Sequence, residues 1–290
     1  MNVEMAYLLG MILGNGEIQH GNTHTTVTID IPYKNLWTDD MRDVVVYVRA
    51  SLMDIQTFLE PLLGSHLTTT QSEHSTRVSF SKPNEEYTMR EILRFIDAGI
   101  HHSTMRINHE LFAINTDEKK ALLRGFADVT AYIRRSNMAY GQDGAHRVYI
   151  EIPGNWYMVI DIANMLRAVD VPVQTIDFGH PNFRDGNLRK YNQGQINFWK
   201  KEHQIKVYAN EFLPIGFNIR HKQQLLEQYA RQLLECIDSE TTHRFYWEKE
   251  IRHRHKPIHP CEGDPTLPEE IRGQHFESWT DLAGLLGYAR

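Results

Sequence analysis

Three groups of side chains in this sequence could do chemistry. The first is a run of cations: Arg184, Arg189, Lys190, Lys200 and Lys201 fall within residues 179–201, where Asp185 is the one acid. Cations spread along a long connection suit phosphate oxygens, which give affinity without sequence information. A solvated loop would carry the same composition. The second group is polar and sits on two alternating segments: His20, Asn22, His24, Thr26 and Thr28, then Arg134, Arg135, Asn137, Arg147 and Tyr149. Arginine matches guanine and asparagine matches adenine in a major groove, and the plain alternative is a wetted sheet face. The third group is His253, His255, His259 and Cys261, beside the basic arm Arg252-His253-Arg254-His255-Lys256. Their spacing matches no structural zinc site, so they predict no metal.

Such side chains need a scaffold, and the chain writes one twice. One copy opens with the apolar run from Met5 to Gly16, the other with Lys120-Ala121-Leu122-Leu123-Arg124-Gly125-Phe126-Ala127-Asp128, preceded by Thr116 as N-cap and by Asp117 and Glu118 in the first turn. Alternation follows each helix, at Thr25, Val27, Ile29 and Ile31 and at Val148, Ile150 and Ile152, and both strands stop at proline, Pro32 and Pro153. Helical stretches come next, at 43–63 and 155–169, then strand-like ones at 75–81 and 195–208. Each copy ends on a glycine stop, Gly99 in Ala98-Gly99-Ile100 and Gly216 in Ile215-Gly216-Phe217. The spacing from helix glycine to stop glycine is 89 residues from Gly10 and 91 from Gly125. A glycine in mid-helix costs roughly 1 kcal/mol, so Gly10 and Gly125 point to a close helix-to-helix approach. The repeat divides the chain into residues 1–115, residues 116–240 and an extension, 241–290.

Composition sets the class. The chain has 290 residues, 41% hydrophobic and 23% charged, which excludes a disordered chain, a collagen-like repeat and a coiled coil. No apolar run approaches a membrane span of roughly 20 residues, and two cysteines, Cys236 and Cys261, fit a reducing, cytoplasmic setting. Net charge is −6, and the acidic excess lies early: residues 1–120 hold 10 basic and 16 acidic side chains, residues 121–240 hold 14 and 13. Bulk charge neither favours nor excludes nucleic acid. The 16 histidines could gain charge near a polyanion.

With its paired runs Leu8-Leu9-Gly10-Met11-Ile12-Leu13-Gly14-Asn15-Gly16 and Leu123-Arg124-Gly125-Phe126-Ala127-Asp128-Val129-Thr130-Ala131, its Ile215-Gly216-Phe217 turn and its helix from His221 to Cys236, the chain resembles the two-repeat, single-chain LAGLIDADG homing endonucleases over about residues 5–238. The resemblance implies an α+β fold of two pseudo-symmetric repeats, with the motif helices at the centre and a saddle of two antiparallel sheets seated on double-stranded DNA. It also implies one acid at the eighth position of each motif, the two holding divalent metal that activates water. Those positions here are Asn15 and Thr130, both neutral.

Three accounts of that departure stand side by side. The chain is a natural DNA binder that has lost cleavage; or displaced acids, Glu17 and Asp128, serve the catalytic role, with Asn15 and Asp128 as metal ligands; or Asn15 replaces an aspartate and traps the protein on uncut DNA. A two-residue shift turns a helical side chain by roughly 200°, which sets Asp128 facing away unless the helix ends early. Lys82 and Lys206 lie near the strand ends where the family places an auxiliary cation. The expected function is sequence-specific binding of double-stranded DNA by a monomer, with Mg²⁺ required only if it cuts. An active Mg²⁺-dependent homing or restriction-type endonuclease is the enzyme alternative. A DNA-binding regulator and an intron maturase are the non-enzyme ones, and the acidic first third leaves a maturase little basic surface for RNA. In the extension, residues 275–288 read either as a small DNA-binding module or as a closing helix packed through Trp279, Leu282 and Leu286.

Overall fold

The computed structural model describes residues 1–33, 44–96, 100–134, 146–178, 203–236, 267–274, 276 and 279–288. Along the chain the same order of elements occurs twice. The first copy is α1 (Val3–Asn15), β1 (Gly16–His20), β2 (His24–Pro32), α2 (Val44–Leu63), β3 (Thr68–Gln71), β4 (Ser75–Pro83) and α3 (Tyr87–Ile96). After a short α4 (His109–Phe112), the second is α5 (Thr116–Thr130), β5 (Ala131–Arg134), β6 (Arg147–Ile152), α6 (Trp156–Arg167), β7 (Thr175–Asp177), β8 (His203–Tyr208) and α7 (Ala209–Phe212). Helices α8 (Arg220–Cys236) and α9 (Trp279–Leu285) follow. The two four-stranded sheets share one strand order, β1-β2-β4-β3 and β5-β6-β8-β7. The α+β repeat expected from the sequence is therefore present, helix for helix and strand for strand.

Local signals explain most boundaries. Asn2 caps α1 by accepting the Met5 N–H at 2.9 Å. Residues Met5 to Gly14 are then buried on every side, as an apolar run without polar stripe requires. Helix α5 starts one residue earlier than Thr116 suggests. Asn115 is the N-cap: its side chain accepts the Glu118 N–H at 3.0 Å and Glu118 accepts the Asn115 N–H at 3.1 Å, a reciprocal capping box that leaves Thr116 inside the first turn. Gly216 ends the second copy with φ +66, its N–H donating to the Phe212 carbonyl at 3.0 Å. The matching glycine, Gly99, lies outside the described residues.

The chain forms two compact units. One is Met1–Val148 with Tyr208–Cys236, the other Tyr149–Val207 with Ile237–Arg290, so their boundary passes through β6 and β8 and not between the repeats. In the first unit, α1 and α5 pack side by side and run parallel. A Cβ on Gly10 would collide with the Leu122 carbonyl, and one on Gly125 with the Tyr7 carbonyl. Each glycine thus receives the backbone three residues before the other, the signature of a local twofold. Farther along, Gly14 meets Val129 and Thr130.

The second unit is built around α6. Trp156 stacks on Phe178 at 5.2 Å between ring centroids and meets His203 at 4.3 Å. The described part of the extension closes on the same helix: Leu282, Ala283, Leu286 and Tyr288 are buried, Asn164 donates to the Gly287 carbonyl at 3.0 Å, and Arg167 lies over the Tyr288 ring. Leu282 and Leu286 are buried as the closing-helix reading expects; the Trp279 side chain lies outside the described residues.

Candidate catalytic centre and nucleic-acid interface

Both central helices end in the same way. Helix α1 stops at Asn15 and passes at once into β1 through Gly16 (φ −101, ψ 157), whose N–H donates to the Ile12 carbonyl; α5 stops at Thr130 and passes into β5 through Ala131 (φ −101, ψ 155), whose N–H donates to the Ala127 carbonyl. Because the helices run parallel and Gly14 touches Thr130, the two C-termini meet. Two negative dipole ends therefore converge beside Asn15 and Thr130, a field that would favour a cation.

The side chains there are turned to other work. Asn15 Nδ2 donates to the Asp30 carbonyl at 2.7 Å, a bond an aspartate could not make. Thr130 is buried and its Oγ1 donates to the Phe126 carbonyl at 2.7 Å, one turn back along α5. Neither residue brings charge.

Asp128 is fully buried, away from any surface that could reach a phosphate. Its carboxylate accepts from the Tyr7 hydroxyl (2.7 Å) and from the N–H groups of Asn218 (3.0 Å) and Ile219 (3.2 Å), which lead into α8. Lys222, from that helix, returns the contact by donating to the carbonyls of Ala127 (3.3 Å) and Asp128 (2.8 Å) at the end of α5. The two helices cap each other. Burial lowers Lys222 from 10.5 to about 7 against the pull of Asp128. Burial raises Asp128 while Lys222 and its three donors oppose the rise, and it raises Tyr7 well above its ordinary value, aided by Asp128.

Glu17 is placed differently. It lies exposed on β1, two residues beyond the end of α1, and accepts from Gln19 Nε2 at 3.2 Å. Residues 100–102 run beside this strand: Ile18 N–H donates to the Ile100 carbonyl (2.7 Å) and His102 N–H to the Gly16 carbonyl (2.9 Å). The rings of His101 and His102 lie tilted against each other, 4.0 Å between centroids, and burial, then the neighbouring His101, lower His102 to about 4, so its ring is neutral at pH 7. The sequence reading missed this pair, for which a His-His dipeptide beyond the Gly99 stop was the one available signal.

For a divalent metal the helix ends would supply only neutral side-chain oxygens, Asn15 Oδ1 and Thr130 Oγ1, while Asp128 spends its carboxylate on buried donors; among the described residues no group of three His, Cys, Asp or Glu could hold an ion.

On the first sheet, registers decide which side chains share the open face. Gln19 opposes Thr26, Glu17 opposes Thr28, Thr26 opposes Ser81, Thr28 opposes Ser79, and Asp30 opposes Arg77. Thr68 and Thr70 on β3 complete the row opposite Ser79 and Arg77. Thr26 and Thr28 are on this face, and His24 heads the same row, its Nδ1 3.0 Å from Thr23 Oγ1. His20 is not: it opposes Thr25, whose side chain is buried, and lies 3.2 Å from that hydroxyl, so it belongs to the alternate row. Asn22 sits in the exposed turn that Asn84 holds by donating to the carbonyls of Gly21 and Asn22. Asn84, Asp30 and Arg77 were not singled out from sequence.

Arg134 ends β5 exposed, and Arg147 on β6 lies over the Tyr208 ring. Arg135, Asn137, Arg184, Arg189, Lys190, Lys200 and Lys201 lie outside the described residues, as does the arm at 252–256. Lys82 is buried in an ion pair with Glu86 at 2.7 Å, and Lys206 lies buried over the Tyr149 ring. Neither stands as an open cation. No described helix is long and apolar enough to cross a membrane.

No family model matches the chain, and no curated protein matches it. Among solved structures it is similar to mesophilic variants of the homing endonuclease I-DmoI (13% identity, 76% of this chain and 95% of that one, TM-score 0.40). It is similar also to the LAGLIDADG homing endonuclease I-GzeII in complex with its DNA target (7%, 86% and 97%, 0.40). A third is the N-terminal LAGLIDADG domain of DUF199/WhiA (10%, 83% and 86%, 0.39).

Proposed function

We propose that the chain is a monomeric double-stranded DNA-binding protein of the LAGLIDADG type in which the cleavage centre is chemically disarmed. One observation carries this reading: two parallel helix ends meet at Asn15 and Thr130, and both side chains are neutral and bonded to backbone carbonyls. Binding without cutting is what a regulator does. No hydrolytic step is assigned to Mg²⁺.

The test uses the parent protein and Asn15→Asp, each incubated with a randomised duplex library and Mg²⁺, with bound and cut molecules scored separately. The expected result is a parent that selects a defined site and leaves it whole, while the aspartate variant nicks or cuts that site. A parent that selects no duplex removes the reading.

The alternative, an active homing or restriction-type endonuclease with a displaced acid, is narrowed by burial. Asp128 is buried and Glu17 is exposed beside the helix end, so of these two displaced acids Glu17 is the one that could reach a phosphate. If the parent cuts, Glu17→Gln should abolish cleavage while leaving the bound fraction intact.

A further inference from the structure

Among the described residues, Arg77 is the one lysine or arginine on the open face of the first sheet, and it is held in a fixed pose. Arg77 on β4 stands directly opposite Asp30 on β2. Its Nε donates to Asp30 Oδ1 at 3.0 Å and its Nη2 to Asp30 Oδ2 at 3.1 Å. The pair joins strands 47 residues apart, with the Arg77 side chain 56% exposed and that of Asp30 34% exposed. A surface ion pair of this kind adds little stability, typically under about 1 kcal/mol. Its geometry is more informative than its energy.

A guanidinium is planar and presents its N–H donors as a rigid fork. Asp30 takes the Nε–Nη2 edge, which leaves the Nη1–Nη2 edge for another acceptor. That second edge matches the O6 and N7 acceptors of guanine, the commonest specific contact in a major groove. Without Asp30, four side-chain torsions would have to be ordered on binding. With it, the plane is set beforehand and the ordering cost falls. The nearest neighbours on the same face, Thr28, Ser79 and Thr70, are short hydroxyls, and the Glu17 carboxylate, opposite Thr28, also acts on Arg77 through its charge.

The position is also central. Asp30 is the residue whose carbonyl receives the Asn15 amide, so Arg77 lies two links from the end of α1. The bond from Asn15 is to backbone, and a change in the Asp30 side chain leaves it in place.

We propose that Arg77, fixed by Asp30, reads a guanine in the half of the DNA site covered by the first sheet. This inference rests on the DNA-binding reading above. A pinned arginine facing a base specifies sequence, whereas one facing a phosphate adds only affinity, and the two are separable.

The experiment selects bound duplexes from a randomised library with the parent, Arg77→Ala, Arg77→Lys and Asp30→Asn, each checked for parental melting. The parent is expected to require guanine at one position. Arg77→Ala and Arg77→Lys should both lose that preference and bind the guanine site about ten- to hundredfold more weakly, with other positions unchanged. Lysine keeps the charge but not the fork. Asp30→Asn should broaden the choice at that position without weakening total binding, since it removes an acid from the face. If Arg77→Lys binds like the parent and Arg77→Ala weakens all sequences equally, Arg77 contacts phosphate and the proposal is wrong. If the parent selects a site in which Arg77→Ala changes no position, the proposal fails while the DNA-binding reading stands. A parent that selects no duplex overturns both.

Discussion

Lys222 shows how much a single buried charge can govern. In the native chain its ammonium is sealed between α5 and α8, at about 7 in place of the ordinary 10.5. Between those values the unfolded chain binds a proton that the native chain does not, so stability rises as pH climbs from about 7 towards 10.5. Below pH 7 both states hold the proton and the cost of burial is fully present. Chemical denaturation at pH 6.5, 8 and 9 should show the parent's midpoint increasing across that series. Lys222→Met, which fills much the same volume without a titrating group, should lose this increase. A parent curve as flat as the variant's would show that Lys222 keeps its proton throughout. The same burial explains why Asp128, an acid in a motif otherwise short of acids, serves packing: three donors hold it inside the molecule.

At the scale of elements, the pairing of α1 with α5 depends on two missing side chains. Gly10 and Gly125 each give up roughly 1 kcal/mol of helix propensity, and each admits the partner's backbone. Backbone cannot rotate away as a side chain can. Gly10→Ala and Gly125→Ala should therefore each destabilise the protein by about 3 kcal/mol, the upper end for overpacking, read as a fall of roughly 6–12 °C in Tm. Gly284, in α9 with nothing near its Cβ position, is the control: Gly284→Ala should be neutral or raise stability by up to about 1 kcal/mol. Equal effects at all three sites would mean the central contact is looser than its geometry implies.

For the whole molecule, the charge of −6 means that affinity for a polyanion must come from local cations. Among the described residues the first sheet's open face supplies one lysine or arginine, Arg77, already partnered by an acid. The densest run is Arg184, Arg189, Lys190, Lys200 and Lys201. If these meet phosphates, changing all five to glutamine should reduce the slope of log affinity against log salt by about 4.5, near 0.9 per contact, while the preferred sequence stays the same. An unchanged slope would leave that segment a solvated loop.

Much of this was legible in sequence because it is local or repeated. Alternation at Val27, Ile29 and Ile31 sets a strand with one buried face, an apolar run with glycine at its centre sets a buried helix, and a spacing of 89 against 91 residues reveals the duplication. The neutrality of Asn15 and Thr130 is equally a fact of sequence. Contacts between distant residues are not. That Asp128 is spent on Asn218 and Ile219, that Asp30 holds Arg77, that His20 falls in the alternate row to Thr26, and that residues 100–102 line β1 all depend on register and on chain brought together from 47 to 91 residues away or across a turn. Side-chain type and period act over a few residues and can be read along the chain; partner, burial and pose are set by the neighbours that folding supplies, and only the tertiary structure decides them.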